Sequence, residues 1–259
     1  MTDGGLLAAQ RRALILDLVR RDGAVKVAEL VDQLGVSDMT IRRDLDALTR
    51  SGAVQKVYGG AVARTASADE PGFEAKSGLE SDTKAALAEA AAALVQPGSV
   101  VALSAGTTAY AVAARLLDVT GLTVVTNSLP VAELVRARGE EAPALLLTGG
   151  APTRSAALVG PLADQAIRSL HVDLLIIGAH GVSEHAGLTT PNLAEAQTNR
   201  ALIASASRVV AVADHTKWGV VGLSSFAALA DLHTFITDQG LPPHARTVLT
   251  EQCGELLVV

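Results

Sequence analysis

Residues 37–50, with the sequence SDMTIRRDLDALTR, decide how the first part of this chain folds. When they are wound at about 100° per residue, the apolar side chains fall on one side of a helix, namely Ile41, Leu45 and Leu48. The other side carries Met39, Arg42, Arg43 and Arg50. Ser37 precedes the helix and can cap its first turn through its hydroxyl group. The pattern predicts an amphipathic helix that packs on a small domain and exposes arginines.

The neighbouring residues complete a helix-turn-helix followed by a wing. Residues 26–34 carry apolar side chains at helical spacing and end at Gly35, a residue type that tolerates a left-handed turn. Helix, short turn and second helix form the helix-turn-helix order. After Gly52, residues 53–57 and 61–62 predict a small hairpin, the wing, which turns at Gly59-Gly60. An earlier apolar stripe predicts a first helix and consists of Leu7, Leu14, Ile15, Leu18 and Val19.

The basic helix and the wing together favour binding to double-stranded DNA. A basic helix surface alone is most often only solvated, but here the cap, the turn and the basic wing coincide. A helix of this kind enters the major groove, while the wing contacts the backbone or the minor groove. The expected contacts come from Ser37, Met39, Thr40, Arg42 and Arg43 of the helix and from Lys56 and Tyr58 of the wing.

The charge of the chain is unevenly distributed. The net charge is −6, but residues 1–64 hold ten basic and eight acidic side chains, whereas the rest holds 11 and 19. Because screening confines phosphate attraction to about 10 Å, a basic head on an acidic body can bind DNA, with help from dimerisation. The single cysteine, Cys253, excludes an intrachain disulfide, and the six histidines show no metal-ligand spacing. We therefore expect no metal and no cofactor.

The remaining sequence predicts a second domain of the α/β class. Residues 65–82 are small, polar and broken by Pro71-Gly72, which predicts a linker between domains at 1–64 and 83–259, with Phe73 as an anchor. Short Val/Leu/Ile-rich strands are expected at 100–103, 122–126, 144–147, 174–177 and 209–213, with helices at 84–95, 108–117 and 130–137. This alternation predicts a doubly wound, mostly parallel sheet covered on both faces. No apolar run of about 18 residues or signal peptide is present, so we expect a cytoplasmic protein.

Polar and small residues follow the carboxyl ends of these strands, where open parallel sheets bind their ligands. They are Ser104, Gly106, Thr107, Thr108, Asn127, Ser128, Gly149, Gly150, His180, Asp214 and Lys217. A glycine at such a turn usually serves only the backbone, but five strand ends at one crevice favour a ligand site. The helix start at Gly106 favours an anion, which Lys217 could neutralise. Trp218 either covers this site or is a core aromatic.

The sequence resembles DeoR-type bacterial transcription regulators in the run TIRRDL at 40–45, in Gly52 and in YGGA at 58–61. The likeness is close over 11–62 and extends through most of the remainder. It implies a winged helix-turn-helix head and a sugar-phosphate sensor similar in fold to ribose-5-phosphate isomerase and glucosamine-6-phosphate deaminase. By this resemblance Gly106, Thr107 and Thr108 form a phosphate loop and Asn127 and Ser128 line the pocket. Glu195, Asp214 and Lys217 lie opposite, and Lys84 stands where the isomerases carry a lysine.

The chain departs from the family pattern at three positions. Ser104 replaces an aspartate, His180 an acidic residue and Asn199 a lysine. A serine makes weaker and less selective hydrogen bonds to hydroxyls than a carboxylate does. We therefore expect an anionic, polyol-like effector that differs from the standard sugar phosphates of the family.

Two functions remain open on the sequence. The first is a homo-oligomeric transcription repressor controlled by this effector. The alternative is a sugar-phosphate isomerase or deaminase that carries a DNA-binding head. Isomerisation needs a carboxylate base, which the related isomerases carry after the strand equivalent to 174–177. Here residues 178–182 contain no acid, and only His180 or Glu195 could replace it.

Overall fold

The computed structural model describes residues 8–22, 24–50, 54–57, 59–63, 73 and 80–259. Leu7, Tyr58 and most of the predicted linker lie outside the described residues. The chain divides into two compact units, Met1–Thr65 and Ala66–Val259. Within the described residues, no helix is long and apolar enough to cross a membrane.

The first unit is a three-helix fold with a three-stranded sheet. Its elements are α1 (Ala8–Asp22), β1 (Ala24–Lys26), α2 (Val27–Leu34), α3 (Asp38–Arg50), β2 (Val54–Val57) and β3 (Gly60–Ala63). The three predicted helices and the wing hairpin, β2–β3, are confirmed. The strand β1 was not predicted, and it pairs antiparallel with β3 to give the order β1-β3-β2.

The core of this unit follows from the apolar stripes of the three helices. Ile15, Leu30, Ile41 and Leu45 are fully buried in it. The prediction that Leu14 joins this core is wrong, because its side chain is 41% exposed. The core stripe of α1 passes through Ile15 and Val19, and Leu14 lies about 100° away around the helix.

Two glycines set the backbone of this unit. Gly35 ends α2 in the left-handed conformation, at φ 63°, as its position after the apolar stripe predicts. Gly60 is needed for another reason, because a Cβ atom there would lie 2.0 Å from the carbonyl oxygen of Val25. Gly60 therefore lets the wing pack against β1.

The second unit contains a seven-stranded sheet. Its helices are α4 (Ser81–Ala92), α5 (Thr107–Leu116), α6 (Leu129–Ala137), α7 (Pro161–Arg168), α8 (Leu193–Ser205) and α9 (Pro243–Gln252). Its large sheet contains β4 (Val100–Leu103), β5 (Thr123–Thr126), β6 (Ala144–Leu147), β9 (Val172–Ile177), β12 (Ala206–Val212), β14 (Thr234–Thr237) and β15 (Leu256–Val258). The shorter strands are β7 (Ala151–Pro152), β8 (Leu158–Val159), β10 (Gly181–Ser183), β11 (Gly187–Thr190) and β13 (Ser224–Ala227).

The large sheet is parallel throughout and has the order β15-β14-β12-β9-β4-β5-β6. Alternate residues of each strand point to opposite faces. Leu103 and Val210 pack with α4, α5 and α6, whereas Ala102 and Ala211 pack with α7, α8 and α9. The predicted doubly wound sheet, covered on both faces, is confirmed.

The structure corrects several element boundaries. The helix predicted at 84–95 is α4, which begins inside the predicted linker and ends at Ala92. The chain then continues in a turn of 3₁₀ type, in which the backbone N–H groups of Leu94 and Val95 donate to carbonyls three residues earlier. The antiparallel sheet β10-β11-β13 and the elements β14, α9 and β15 were not predicted. The prediction of Phe73 as an anchor is confirmed by its edge-on contact with Tyr110, at 5.5 Å between ring centroids.

Candidate functional site

The helix α3 begins at the predicted cap. The backbone N–H of Thr40 donates to the Oγ of Ser37 at 3.3 Å, and the two hydroxyl groups lie 2.9 Å apart. Ser37 and Thr40 therefore fix the first turn of the helix as well as standing on its outer surface.

A carboxylate on the inner side of α3 ties this helix to α1. Asp44 is buried and accepts a hydrogen bond from Nε of Arg11 at 2.5 Å, while Nε of Arg12 lies 3.9 Å away. This pair was not predicted from the sequence. The sequence does contain an indication of the pair. Asp44 follows Ile41 by three residues and so lies near the buried side of α3, and α1 carries two adjacent arginines. The pair positions α3 by joining two helices that are distant in sequence.

The outer side of α3 holds both signs of charge. Met39 is 68% exposed, and Arg43 is exposed without an ion pair to any described residue. Arg42 donates to both carboxylate oxygens of Asp38, at 2.5 and 3.2 Å. This hydrogen-bonded guanidinium group lowers the pKa of Asp38 below its ordinary value, so that the carboxylate stays ionised.

The wing contributes a second pair on this side. Nζ of Lys56 lies 2.5 Å from Oδ1 of Asp46 on α3. The structure thus brings together Ser37, Met39, Thr40, Arg42, Arg43 and Lys56 on one small unit. Tyr58 lies outside the described residues.

The second candidate site lies at the carboxyl edge of the large sheet. Strands β5 and β6 follow on one side of β4, whereas β9, β12, β14 and β15 lie on its other side. The order of the sheet therefore reverses between β4 and β9, and this is where open α/β sheets form ligand crevices. The backbone N–H of Gly178 donates to Oγ of Ser104 at 3.2 Å at this point. Ser104 is buried, and it fastens the ends of the two strands together.

The helix α5 starts at this edge of the sheet without a side-chain cap. Gly106 is its N-cap residue at φ 127°, and Thr107 and Thr108 form the first turn. By contrast, Ser128 caps α6 and Asn192 caps α8 through their side chains. No side chain therefore caps the first amides of α5, and they stand at the positive end of the helix dipole.

The side chains after β5 form the frame of this crevice. Oδ1 of Asn127 accepts from the N–H of Ala105 at 3.1 Å, and its Nδ2 donates to the carbonyl of Leu158 at 3.1 Å. Oγ of Ser128 accepts from the N–H of Val131. Gly150, which follows β6, is held at φ 118°, and a Cβ there would lie 2.6 Å from the carbonyl oxygen of Val159. Gly149, also left-handed, adds no side chain.

Glu195 belongs to a buried cluster of hydroxyl groups. Its Oε1 accepts from Thr153 at 2.6 Å and from Ser155 at 2.5 Å, and its Oε2 accepts from Thr190 at 3.3 Å. Glu195 was among the predicted residues, but these partners were not. The carboxylate joins the β7–β8 hairpin to β11 and α8.

Asp214 is the unsatisfied carboxylate of the second unit. It is 2% exposed, and its Oδ1 accepts hydrogen bonds from the backbone and the hydroxyl of Thr216. Its Oδ2 is buried without a hydrogen-bond partner among the described residues, and Nζ of Lys217 lies 4.0 Å from it. A buried carboxylate oxygen that accepts no hydrogen bond is unfavourable unless a further donor reaches it.

Two further predicted residues lie close to this edge. Lys84 is buried on α4, at helical spacing with Leu87 and Ala88, which pack on the sheet. Because α4 precedes β4, its first turn lies at the carboxyl edge. His180 follows β9, is half-buried, and its backbone N–H donates to the carbonyl of Thr189.

Trp218 packs against the core, and its ring N–H donates to His244 at 3.3 Å.

No cluster of three or more potential metal ligands occurs in the described ranges of the chain. The predicted effector residues that follow β4, β5, β6, β9 and β12 all lie along one edge, because the strands are parallel. Glu195 lies apart from the strand ends, in the first turn of α8.

Comparison with known protein families identifies both units. A DeoR-like helix-turn-helix domain matches residues 11–67, and a DeoR C terminal sensor domain matches residues 79–239. The chain belongs to the DeoR family of transcription regulators. It is therefore a DNA-binding regulator, and the helix-turn-helix unit is its DNA-binding domain.

Relatives of DeoR type are similar over almost the whole chain. The regulator YgbI of Escherichia coli strain K12 is 39% identical over 98% of both chains. The putative aga operon transcriptional repressor of Escherichia coli O157:H7 is 34% identical over 97% of this chain and 94% of its own. The transcriptional repressor AccR of Agrobacterium fabrum is 35% identical over 89% of both chains. All three are named as regulators rather than enzymes.

Similarity to solved structures is weaker. Ribose 5-phosphate isomerase A from Methanocaldococcus jannaschii is 21% identical over 53% of this chain and 54% of its own, with a TM-score of 0.40. A likeness of this size does not support an inference about activity.

The buried pair in the DeoR-like head gives the first prediction. Asp44→Asn removes the buried carboxylate charge that faces Arg11 and should destabilise the head by about 3 kcal/mol. Hydrogen-exchange protection of peptides from residues 8–50, measured in the full chain, checks this value. Asp32→Asn, which changes an exposed acid on α2, is the matched control and should have little effect. Equal effects of the two substitutions would contradict a positioning role for the pair.

Proposed function

We propose that this DeoR-family regulator is a repressor whose affinity for its operator is controlled by a small anionic effector, a phosphorylated sugar or a similar polyol. The observation that carries the proposal is the reversal of strand order between β4 and β9, with the uncapped start of α5 beside it. Helix starts of this kind bind phosphate through backbone amides.

The chemistry of the crevice fits an anion that also carries hydroxyl groups. Gly106, Thr107 and Thr108 offer amide and hydroxyl donors to the phosphate, and Lys217 adds a positive charge from the next element. Oδ2 of Asp214, which accepts no hydrogen bond from the described residues, can accept one from an effector hydroxyl. Ser104, Asn127 and Ser128 shape the crevice through the bonds described above, and Gly149 and Gly150 add no side chains to it. Lys84 and His180 complete its polar lining, and Glu195 supports it by holding the β7–β8 hairpin.

The DNA-contacting residues of the proposal are those of α3 and the wing. Ser37, Met39, Thr40, Arg42 and Arg43 face the major groove, while Lys56 and Tyr58 contact the backbone or the minor groove. One head of this size buries little surface, so the proposal requires a homodimer or homotetramer that reads repeated half-sites. Because a repressor acts on the chromosome, the proposal places this protein in the cytoplasm.

Control by the effector requires a difference in affinity. An effector shifts operator binding only if it binds more tightly to one of two states of the regulator. For a repressor that the effector releases from DNA, the state with the tighter effector affinity is the one that binds the operator weakly. Because this coupling is reciprocal, operator binding lowers the affinity of the regulator for the effector.

The role of α3 is tested with Arg43→Ala. Because Arg43 is exposed and unpaired within the described residues, its loss should abolish operator binding while leaving the fold intact. Binding is measured by fluorescence anisotropy on a duplex selected by the wild-type protein from a random pool. Arg136→Ala, which removes an exposed arginine of α6, is the control. Normal affinity of the Arg43→Ala protein would remove α3 from the interface.

The effector crevice is tested with Lys217→Ala. The substitution should leave DNA affinity unchanged but reduce the rise in melting temperature that ribose 5-phosphate or inorganic phosphate produces in the wild type. The reason is the loss of the cation that supports the bound phosphate. A full thermal shift in the Lys217→Ala protein would place the anion elsewhere.

We also infer that the chain is not an enzyme. Isomerisation of a sugar phosphate needs a carboxylate that can accept a proton from carbon. Glu195 is already bound by three hydroxyl groups, and residues 178–182 contain no acid. Purified protein should show no turnover of ribose 5-phosphate or glucosamine 6-phosphate. Turnover that disappears in Glu195→Gln would establish the enzyme alternative instead.

A further inference from the structure

The outer surface of α3 carries two acidic residues that DNA binding alone does not explain. Asp38 holds Arg42 through two hydrogen bonds, and Asp46 holds Lys56 of the wing at 2.5 Å. Both carboxylates are exposed, in contrast to Asp44, which is buried against α1. Acids on a surface that faces phosphates reduce its attraction for DNA.

The carboxylates of Asp38 and Asp46 compete with DNA phosphates for the same cationic side chains. Binding to DNA of any sequence depends on basic side chains that neutralise phosphates and release counterions. A cation that already has a carboxylate partner must leave or share that partner, so it gains less from a phosphate. Arg42 and Lys56 are restrained in this way, whereas Arg43 has no ion pair among the described residues.

We propose that Asp38 and Asp46 are specificity-determining residues that lower the affinity of the head for DNA of arbitrary sequence. Base contacts compensate for the carboxylates only at the operator, where Arg42 and Lys56 reach defined partners. The two acids therefore widen the gap between operator and random DNA. The inference rests on α3 as the DNA-contacting helix, which Arg43→Ala tests separately.

A purely structural role for Asp38 is the competing explanation. An acid in the first turn favours the helix dipole, and an acid four residues before an arginine stabilises a helix. This role predicts a small loss of helix stability on substitution and no gain in DNA affinity. The two explanations therefore differ in the sign of the change on random DNA.

The test measures binding of full-length Asp38→Asn, Asp46→Asn and the double variant to a random-sequence duplex by fluorescence anisotropy over a range of KCl concentrations. Each single variant should bind about twofold to fivefold more tightly, a size typical of exposed ion pairs. The salt dependence, d log K/d log[KCl], should steepen by up to about 0.9 for each cation released to a phosphate. Affinity for the selected operator should rise less, so the specificity ratio falls.

Two controls separate the ion pairs from total charge and from the fold. Asp17→Asn removes one exposed acid from α1 and should leave the affinity for random DNA near the wild-type value. Asp38→Glu keeps a carboxylate within reach of Arg42 and should behave as the wild type. Unchanged or weaker binding to random DNA in Asp38→Asn and Asp46→Asn would overturn the proposal, as would an equal gain in Asp17→Asn.

Discussion

The second unit depends on the parallel pairing of β4 with β9, which are more than 65 residues apart in the chain. Parallel strands need helical crossovers, and these helices cover both faces of the sheet. All carboxyl ends consequently meet at one edge, and the strand order reverses between β4 and β9, the point at which we propose the effector crevice. Ser104 fastens the two strands at this point by accepting the N–H of Gly178. The polar residues of the crevice are thus a consequence of topology and are not a motif in sequence.

The DNA-binding head depends on a balance of charge around α3. Three apolar side chains and the Arg11–Asp44 pair hold the helix on its inner side. The outer side carries cations that are partly compensated by acids. A stronger positive surface would bind DNA more tightly but with less discrimination, since phosphate contacts carry no sequence information. This head therefore combines a firmly positioned helix with restrained electrostatic attraction.

Much of the fold could be predicted from local patterns. The helical stripes of α1, α2 and α3, the left-handed Gly35 and the apolar strands at 100–103 and 144–147 are visible in sequence. The pairing of Asp44 with Arg11 and of Glu195 with Thr153 and Ser155 was not predicted, because these partners lie more than 30 positions away. Thr190, only five residues from Glu195, was missed as well. Strands such as β10 and β15 contain only three residues, too few to show a period.

The most direct test of the account is hydrogen exchange of the full chain with and without saturating inorganic phosphate. Backbone amides of the first turn of α5 should become protected, together with the segments after β9 and β12, because these elements meet at the proposed anion site. Amides of α3 should not gain direct protection from the anion. Protection confined to other parts of the sensor unit, or none at the start of α5, would contradict the central claim that the reversal of strand order forms the effector site.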